Sequence, residues 1–163
     1  YYNSTEGSFK AIKSGGAPIG TWASGGTMNN DERYFSGGAG TKTAAIAFGG
    51  EAPKISKTEL YDGSSWTEVA NLNSARYDGA GDGTSTAAII FGGSISPGPG
   101  RTVNTEVWDG SSWAETANMA TARNLSGCGI TTAAVGFGGS TPPISNLTEE
   151  FTQAAAVRSV DVS

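Results

Sequence analysis

The sequence predicts an all-β protein that contains three copies of one four-stranded unit. The 163 residues include 25 glycines, and the apolar segments are short and bounded by Gly, Ser, Thr and Asn, which is typical of strands joined by turns. The segment TELYDGSSWTEVANLNSARYDG at 58–79 also returns, with few changes, as TEVWDGSSWAETANMATARNLSG at 105–127. Recurrence at a fixed period indicates stacked structural repeats.

Four landmarks set the period of the repeat. Trp22, Trp66 and Trp113 are in register; so are Arg33, Arg76 and Arg123; so are Glu59, Glu106 and Glu149; and so are the glycine pairs Gly49 and Gly50, Gly92 and Gly93, Gly138 and Gly139. The repeats therefore span residues 20–152, as units of about 20–62, 63–109 and 110–152. The repeats differ in length at the loops 51–56, 94–103 and 140–146. These loops could recognise a partner or could only connect strands, and the sequence leaves both alternatives open.

The sequence of each unit predicts four antiparallel strands. The glycine-rich segment after the arginine, as in ARYDGAGDG, favours a narrow inner strand. The apolar run TAAIIFGG predicts a strand buried on both faces, which ends at the glycine pair because Gly tolerates a positive φ. The segments NTEVWD and SSWAET form the last two strands, joined at Asp109 and Gly110 by a hairpin signal.

The units are expected to stack like the blades of a β-propeller, because a single sheet of this size cannot bury both of its faces. The third unit ends at LTEEFTQ without a fourth strand, whereas GTWAS at 20–24, with Trp22, resembles a fourth strand that has no unit of its own. Propellers need at least four blades. We therefore expect the ring to be completed by a homo-oligomer, such as two chains with six blades, or by missing upstream sequence; an open arc within a trimeric fibre is a third alternative.

The two ends lie outside the repeats. Residues 1–19 predict a hairpin and a linker to a shaft or particle, and residues 153–163 predict a terminal tail strand. The chain begins at Tyr1 rather than Met, which favours a fragment of a longer protein.

The order of the motifs resembles a known repeat family. An apolar strand ending in Gly-Gly, an aromatic residue followed by Asp at 61–62 and 108–109, and a Trp four residues later resemble the kelch repeat. The sequences of segments 58–68, 71–76 and 81–93, together with the leader YYNSTEGSFKAI, are similar to the kelch-like repeats of bacteriophage tail-fibre and other virion appendage proteins. This resemblance implies an extracellular virion structural protein that contacts other virion proteins and presents a surface to the host cell.

Composition argues against several other classes. The net charge of -5, without a basic run, is unsuited to nucleic acid, and no apolar stretch reaches the roughly 20 residues of a membrane span. The chain has no His, so imidazole-based catalysis and histidine metal sites are excluded within it, and no cofactor or metal is predicted. The single Cys128 cannot form an intrachain disulfide.

The repeated arginines are the main candidates for ligand binding. Around one mouth of the propeller, Arg33, Arg76 and Arg123 could bind an anionic sugar through bidentate bonds while Tyr34 and Tyr77 stack on its ring. The alternative is that each guanidinium connects adjacent blades through a carboxylate or carbonyls. Arg101, in the longest loop, is a further candidate ligand residue.

The other repeated residues are interpreted as structural. Glu59, Glu106 and Glu149 are expected to accept internal hydrogen bonds, and the repeated tryptophans, with Trp108, are expected to pack the blades. The sequence thus predicts a non-enzymatic module that recognises a host surface glycan. The alternatives are a purely architectural virion protein, and a glycan hydrolase that would use Asp78 or Asp82 with Glu51.

Overall fold

The protein folds as three successive antiparallel β-sheets, without an α-helix in the part described. The computed structural model describes residues 2–3, 8–9, 20–30, 37–51, 53, 55–95, 100–141 and 143–154. The predicted all-β class is confirmed. Among these residues, no helix is long and apolar enough to cross a membrane.

Fifteen strands are present in the described residues. They are β1 (Tyr2–Asn3), β2 (Ser8–Phe9), β3 (Gly37–Thr41), β4 (Ala44–Phe48), β5 (Thr58–Tyr61), β6 (Trp66–Val69), β7 (Arg76–Tyr77), β8 (Ala80–Thr84), β9 (Ala87–Phe91), β10 (Ser94–Ile95), β11 (Thr105–Trp108), β12 (Trp113–Glu115), β13 (Asn124–Ile130), β14 (Ala133–Ser140) and β15 (Thr148–Thr152).

The three main sheets follow the chain. Sheet 1 has the order β3-β4-β5-β6, sheet 2 the order β8-β9-β11-β12, and sheet 3 the order β13-β14-β15. Strands β3, β8 and β13 carry the glycine-rich segments and lie next to one another, and we call them the inner strands. Short β7 and β10 pair with each other, and β1 pairs with β2 where the terminal hairpin is predicted.

The sheets are offset from the sequence repeats. A repeat counted from Trp66 begins on β6, the last strand of sheet 1, whereas each sheet begins on a glycine-rich strand such as β8. Residues 20–24 form no strand in this chain, and the Trp22 side chain is fully exposed, which corrects its predicted role in blade packing within a single copy. Residues 155–163 of the predicted tail strand lie outside the described residues.

Aromatic residues at the ends of the apolar strands lock neighbouring sheets together. Phe48 of sheet 1 is fully buried, and a Cβ added to Gly81 of sheet 2 would lie 2.7 Å from its ring. Phe91 of sheet 2 lies in the same way against Gly127 of sheet 3, at 2.6 Å. The inner strands therefore need glycine where the preceding phenylalanine covers their backbone.

The hairpins at the outer edge are closed by aspartate side chains. Asp109 Oδ1 accepts hydrogen bonds from the backbone N–H groups of Ser111 and Ser112, each at 2.8 Å, and Gly110 has the positive φ of 98° that the turn requires. Asp62 does the same in sheet 1. Backbone N–H donation from Ser112, followed by Ser111, lowers the pKa of Asp109 to about 2, and donation from Ser65 and Ser64 lowers the pKa of Asp62 well below its usual range.

These turns predict a loss of stability in acid. Because the folded pKa values lie below the unfolded value of about 3.9, the stabilisation is present above that value and is lost as the pH falls from about 5 to about 2. Thermal unfolding followed by circular dichroism at pH 5, 3 and 2 measures the loss. The double variant Asp62→Asn and Asp109→Asn should show a flatter dependence; an unchanged dependence would assign the acid sensitivity to other carboxylates.

Candidate functional site

The repeated arginine and glutamate form ion pairs in which the arginine side chain is fully buried. Arg76 follows the last strand of sheet 1, yet its Nη2 donates to Glu106 Oε1 of sheet 2 at 2.5 Å, and both side chains are fully buried. Arg76 Nη1 also donates to the carbonyl of Asn104 at 2.8 Å. Burial lowers the pKa of Arg76, and the charge of Glu106 opposes that shift.

The junction between sheets 2 and 3 repeats this arrangement. Arg123 Nη1 donates to Glu149 Oε1, and Arg123 Nε donates to the carbonyl of Gly138 at 3.0 Å. Burial raises the pKa of the Glu149 carboxyl, but hydrogen bonds from Arg123 and the Ala120 N–H outweigh it, and the net pKa is lowered. Each pair therefore joins the segment after one sheet to the third strand of the next sheet.

This geometry corrects the prediction that Arg76 and Arg123 bind a ligand. Both side chains have no exposed area, and their guanidinium groups are occupied by carboxylates and carbonyls of their own chain. Each guanidinium instead bonds to a carboxylate and to carbonyls, and in both cases the carboxylate lies in the sheet that follows the arginine. Arg33 and Tyr34 lie outside the described residues.

An open polar cleft lies where sheets 2 and 3 meet on the side of β7 and β10. Its volume is about 590 Å³, and its lining residues come from the starts of the inner strands and from the end of β14: Asp78, Gly79, Asn124, Leu125, Ser126, Gly139 and Ser140. We call this feature the rim cleft. Its position follows from the strand order, because the starts of β8 and β13 are adjacent.

A chain of hydrogen bonds orders the polar groups of the rim cleft. Asn124 Nδ2 donates to Asp78 Oδ2 at 3.2 Å, and Asn124 Oδ1 accepts from Ser94 Oγ at 2.9 Å. Asp78 has a φ of 55°, an unusual backbone conformation for a residue other than glycine, and such strain is concentrated at functional sites. Burial raises the pKa of the Asp78 carboxyl, and the hydrogen bond from Asn124 opposes the shift.

A guanidinium stands at the edge of the same cleft. Arg101 Nη2 donates to Ser140 Oγ at 3.4 Å, while the buried Arg101 Nε has no hydrogen-bond partner among the described residues. A carboxylate, an amide and two hydroxyls thus face one open space, and the Arg101 guanidinium contacts one of these hydroxyls. These groups can donate to and accept from neighbouring hydroxyls, which is the pattern a sugar presents.

Arg101, a predicted ligand residue, contacts Ser140 of the rim cleft but does not line it, and the lining residues are ones that the sequence did not assign to glycan binding. Tyr77 pairs with Ser94 next to the cleft but does not line it. The signal for the missed residues is a departure from the repeat: Asp78 is replaced by Leu125 in the next unit, and Asn124 stands where the previous unit has Tyr77.

The carboxylates weighed for hydrolysis have different surroundings. Asp82 Oδ1 accepts from the Gly83 N–H at 2.7 Å, and Oδ2 accepts from the Gly129 N–H at 2.9 Å. Asp82 therefore connects the inner strands of sheets 2 and 3. Glu51 is half-buried after β4, and it does not line the rim cleft.

Comparison with known proteins gives a likeness in structure alone. The chain matches no protein-family model, and no curated protein matches it in sequence. The structure of YjhT is similar with a TM-score of 0.59 and 13% sequence identity, over 72% of this chain and 42% of YjhT. This chain therefore spans less than half of the length of YjhT and shares with it a fold.

Proposed function

We propose that the chain is a non-enzymatic module of a phage tail fibre or comparable virion appendage, and that it recognises a host surface glycan through the rim cleft. The observation that carries this proposal is the convergence of Asp78, Asn124 and Ser140 on one open space, with Arg101 bonded to Ser140 beside it. The virion assignment follows from the resemblance of the repeats, and it places the protein outside the host cell with other virion proteins as partners.

The proposal includes a finer description of the fold. The three sheets act as consecutive kelch-like propeller blades, with β3, β8 and β13 towards the central axis. Support comes from the adjacency of these strands and from the identical Phe and Arg contacts at the two junctions. In a propeller the ends of the inner strands surround one mouth, so the rim cleft lies where such folds hold ligands.

An architectural role is the second candidate function. It is favoured by exposed apolar side chains that are suited to contact with another protein: Ile130 and Phe137 of sheet 3, and Ile144 and Leu147 of the loop between β14 and β15. In that case the blades bind virion proteins and the cleft binds no sugar.

Binding to a glycan array distinguishes the two candidates. The purified chain should bind a subset of glycans, and Asn124→Ala should weaken that binding about tenfold because an amide that orders Asp78 and faces the ligand is removed. Lys57→Ala is the control, since Lys57 is an exposed cation paired with Glu68 on sheet 1.

Two results would contradict glycan recognition. One is an array on which no glycan is bound while the chain retains its cooperative unfolding. The other is equal binding by Asn124→Ala and Lys57→Ala, with a glycan identified, which would move the binding surface away from the rim cleft. Release of reducing sugar from the bound glycan would instead support the hydrolase.

A further inference from the structure

Trp113 shows how the fourth strand of a unit completes the junction with the preceding sheet. Its indole Nε1 donates to Thr58 Oγ1 of sheet 1 at 3.0 Å, and its ring meets the edge of Phe48 at a centroid distance of 4.9 Å. The ring centroid of Trp108 lies 5.5 Å from that of Trp113, and Leu72 belongs to the same buried cluster. A tryptophan of sheet 2 therefore fills the space between sheets 1 and 2.

The same place between sheets 2 and 3 is a pocket of about 180 Å³. Its lining includes Phe91, Thr105, Met119 and Phe151, which hold the repeat positions of Phe48, Thr58, Leu72 and Trp108, in that order. Sheet 3 has three strands among the described residues, so no fourth strand there supplies a tryptophan. A cavity of about 150 Å³ is large enough for a benzene ring, so an aromatic side chain is a suitable occupant.

The segment around Trp22 has the register of a fourth strand. Asn29 lies seven residues after Trp22, as Asn73 does after Trp66. Asn29 N–H donates to Glu59 Oε2 at 3.3 Å and its Nδ2 donates to the Trp66 carbonyl at 2.7 Å. Asn73 makes the equivalent bonds to Glu106 and Trp113, at 2.7 and 3.1 Å.

The equivalent hydrogen bonds of Asn29 and Asn73 indicate which strand position Trp22 would occupy. Trp66 precedes Asn73 on the last strand of sheet 1, so Trp22 belongs on the last strand of a sheet that comes before sheet 1. In this chain its side chain is fully exposed. Among the described residues, β15 is the last strand of its sheet, so its outer edge and the exposed segment 20–24 are complementary.

We propose that residues 20–24 of a second copy pair antiparallel with β15 as the fourth strand of sheet 3, and that Trp22 of that copy fills the pocket at Phe91. The register of β5 with β6 and of β11 with β12 places Trp22 opposite Phe151, and Ala23 opposite Glu150. The indole N–H then donates to Thr105 Oγ1, as Trp113 donates to Thr58.

The faces of the two end sheets fit the same association. Phe137, 45% exposed, holds the position of Phe48 and Phe91, and Gly38 holds the position of Gly81 and Gly127. No side chain from a preceding sheet lies within 4 Å of a Cβ built at Gly38. Phe137 of one copy therefore packs over Gly38 of the other, as Phe48 packs over Gly81.

Two such contacts, made reciprocally, close a two-fold dimer of six sheets. A head-to-tail contact either closes into a ring or propagates as a filament, and six blades lie within the range of closed propellers. The dimer goes beyond glycan recognition, because it rests on the junctions between sheets and uses no residue of the rim cleft.

Disulfide trapping tests the register directly. In a Cys128→Ser background, which removes the exposed native thiol, the pair Ala23→Cys and Glu150→Cys should form an intermolecular disulfide under mild oxidation. The matched control combines Ala23→Cys with Thr152→Cys, two residues out of register, and should cross-link at least about tenfold more slowly because diagonal neighbours lie roughly 7–8 Å apart. Light scattering on the unmodified chain should give the mass of a dimer.

Trp22→Ala provides a second measurement that does not depend on cysteine chemistry. Because a buried tryptophan at an interface is typically worth at least 2 kcal/mol, the dimer dissociation constant should rise by about thirtyfold or more. The variant should keep its β-sheet circular dichroism, since Trp22 is exposed in the single copy.

Several outcomes would overturn the proposal. A monomeric unmodified chain would do so, as would a cysteine pair that cross-links within one chain, which assigns the β15 edge to the same copy. A ladder of larger disulfide-linked species would replace the closed dimer by an open filament. Equal cross-linking by the two cysteine pairs would reject the register.

Discussion

Replacing Glu106 by alanine is expected to destabilise the fold by about 3–5 kcal/mol. The substitution leaves the buried Arg76 guanidinium without its carboxylate and removes the acceptor of the Asn73 N–H. An uncompensated charge inside a protein is far more costly than a lost surface contact. Urea unfolding at pH 7, followed by tryptophan fluorescence, measures the difference in the free energy of unfolding.

The matched control is Glu68→Ala, which breaks an ion pair between exposed side chains. Lys57 Nζ lies 2.9 Å from Glu68 Oε2, with both side chains more than a third exposed. Such pairs contribute about 0–1 kcal/mol, so the control should be nearly neutral. If Glu106→Ala were no more destabilising than Glu68→Ala, the buried pair would not hold the units together.

Phe48→Ala is expected to cost a similar amount, about 3–5 kcal/mol, through a cavity between sheets 1 and 2. The ring is fully buried, contacts Trp113, and covers Gly81, so neither sheet can collapse into the space without moving the inner strands. Thermal unfolding should show a lower midpoint while the β-sheet content at low temperature is retained.

Phe48→Leu separates loss of volume from loss of aromatic shape. Leucine keeps most of the apolar volume, and changes of this kind usually cost less than about 1.5 kcal/mol. A loss for Phe48→Ala as small as that of Phe48→Leu would mean that the two sheets are not packed through this residue.

Much of the fold could be predicted because every signal occurs more than once. The glycine-rich strand, the apolar strand ending at Phe48 or Phe91, and the Asp-Gly hairpin each recur at the same spacing. Chance patterns do not recur in register, so the strand order within a sheet follows from the sequence with few alternatives.

The site was harder to predict because burial depends on contacts between units. Arg76 follows a polar segment and reads as a surface residue, yet it is buried because Glu106 of the next sheet reaches it. The predicted ligand residues lie mostly at positions where the units agree, whereas Asp78 and Asn124 lie at positions where the units differ. Ligand recognition needs one distinct surface, so the departures from the repeat were the better guide.

The bonds that join the segment after one sheet to the third strand of the next also bear on how such a protein can evolve. Arg76 with Glu106 and Arg123 with Glu149 show that both described junctions use the same arginine–glutamate pair, and that each pair lies within one repeat. Duplication or deletion of one complete unit therefore leaves each remaining junction with its partners. The number of units, and with it the size of the assembly, can change in a single genetic step, while the loop at 94–103 changes independently.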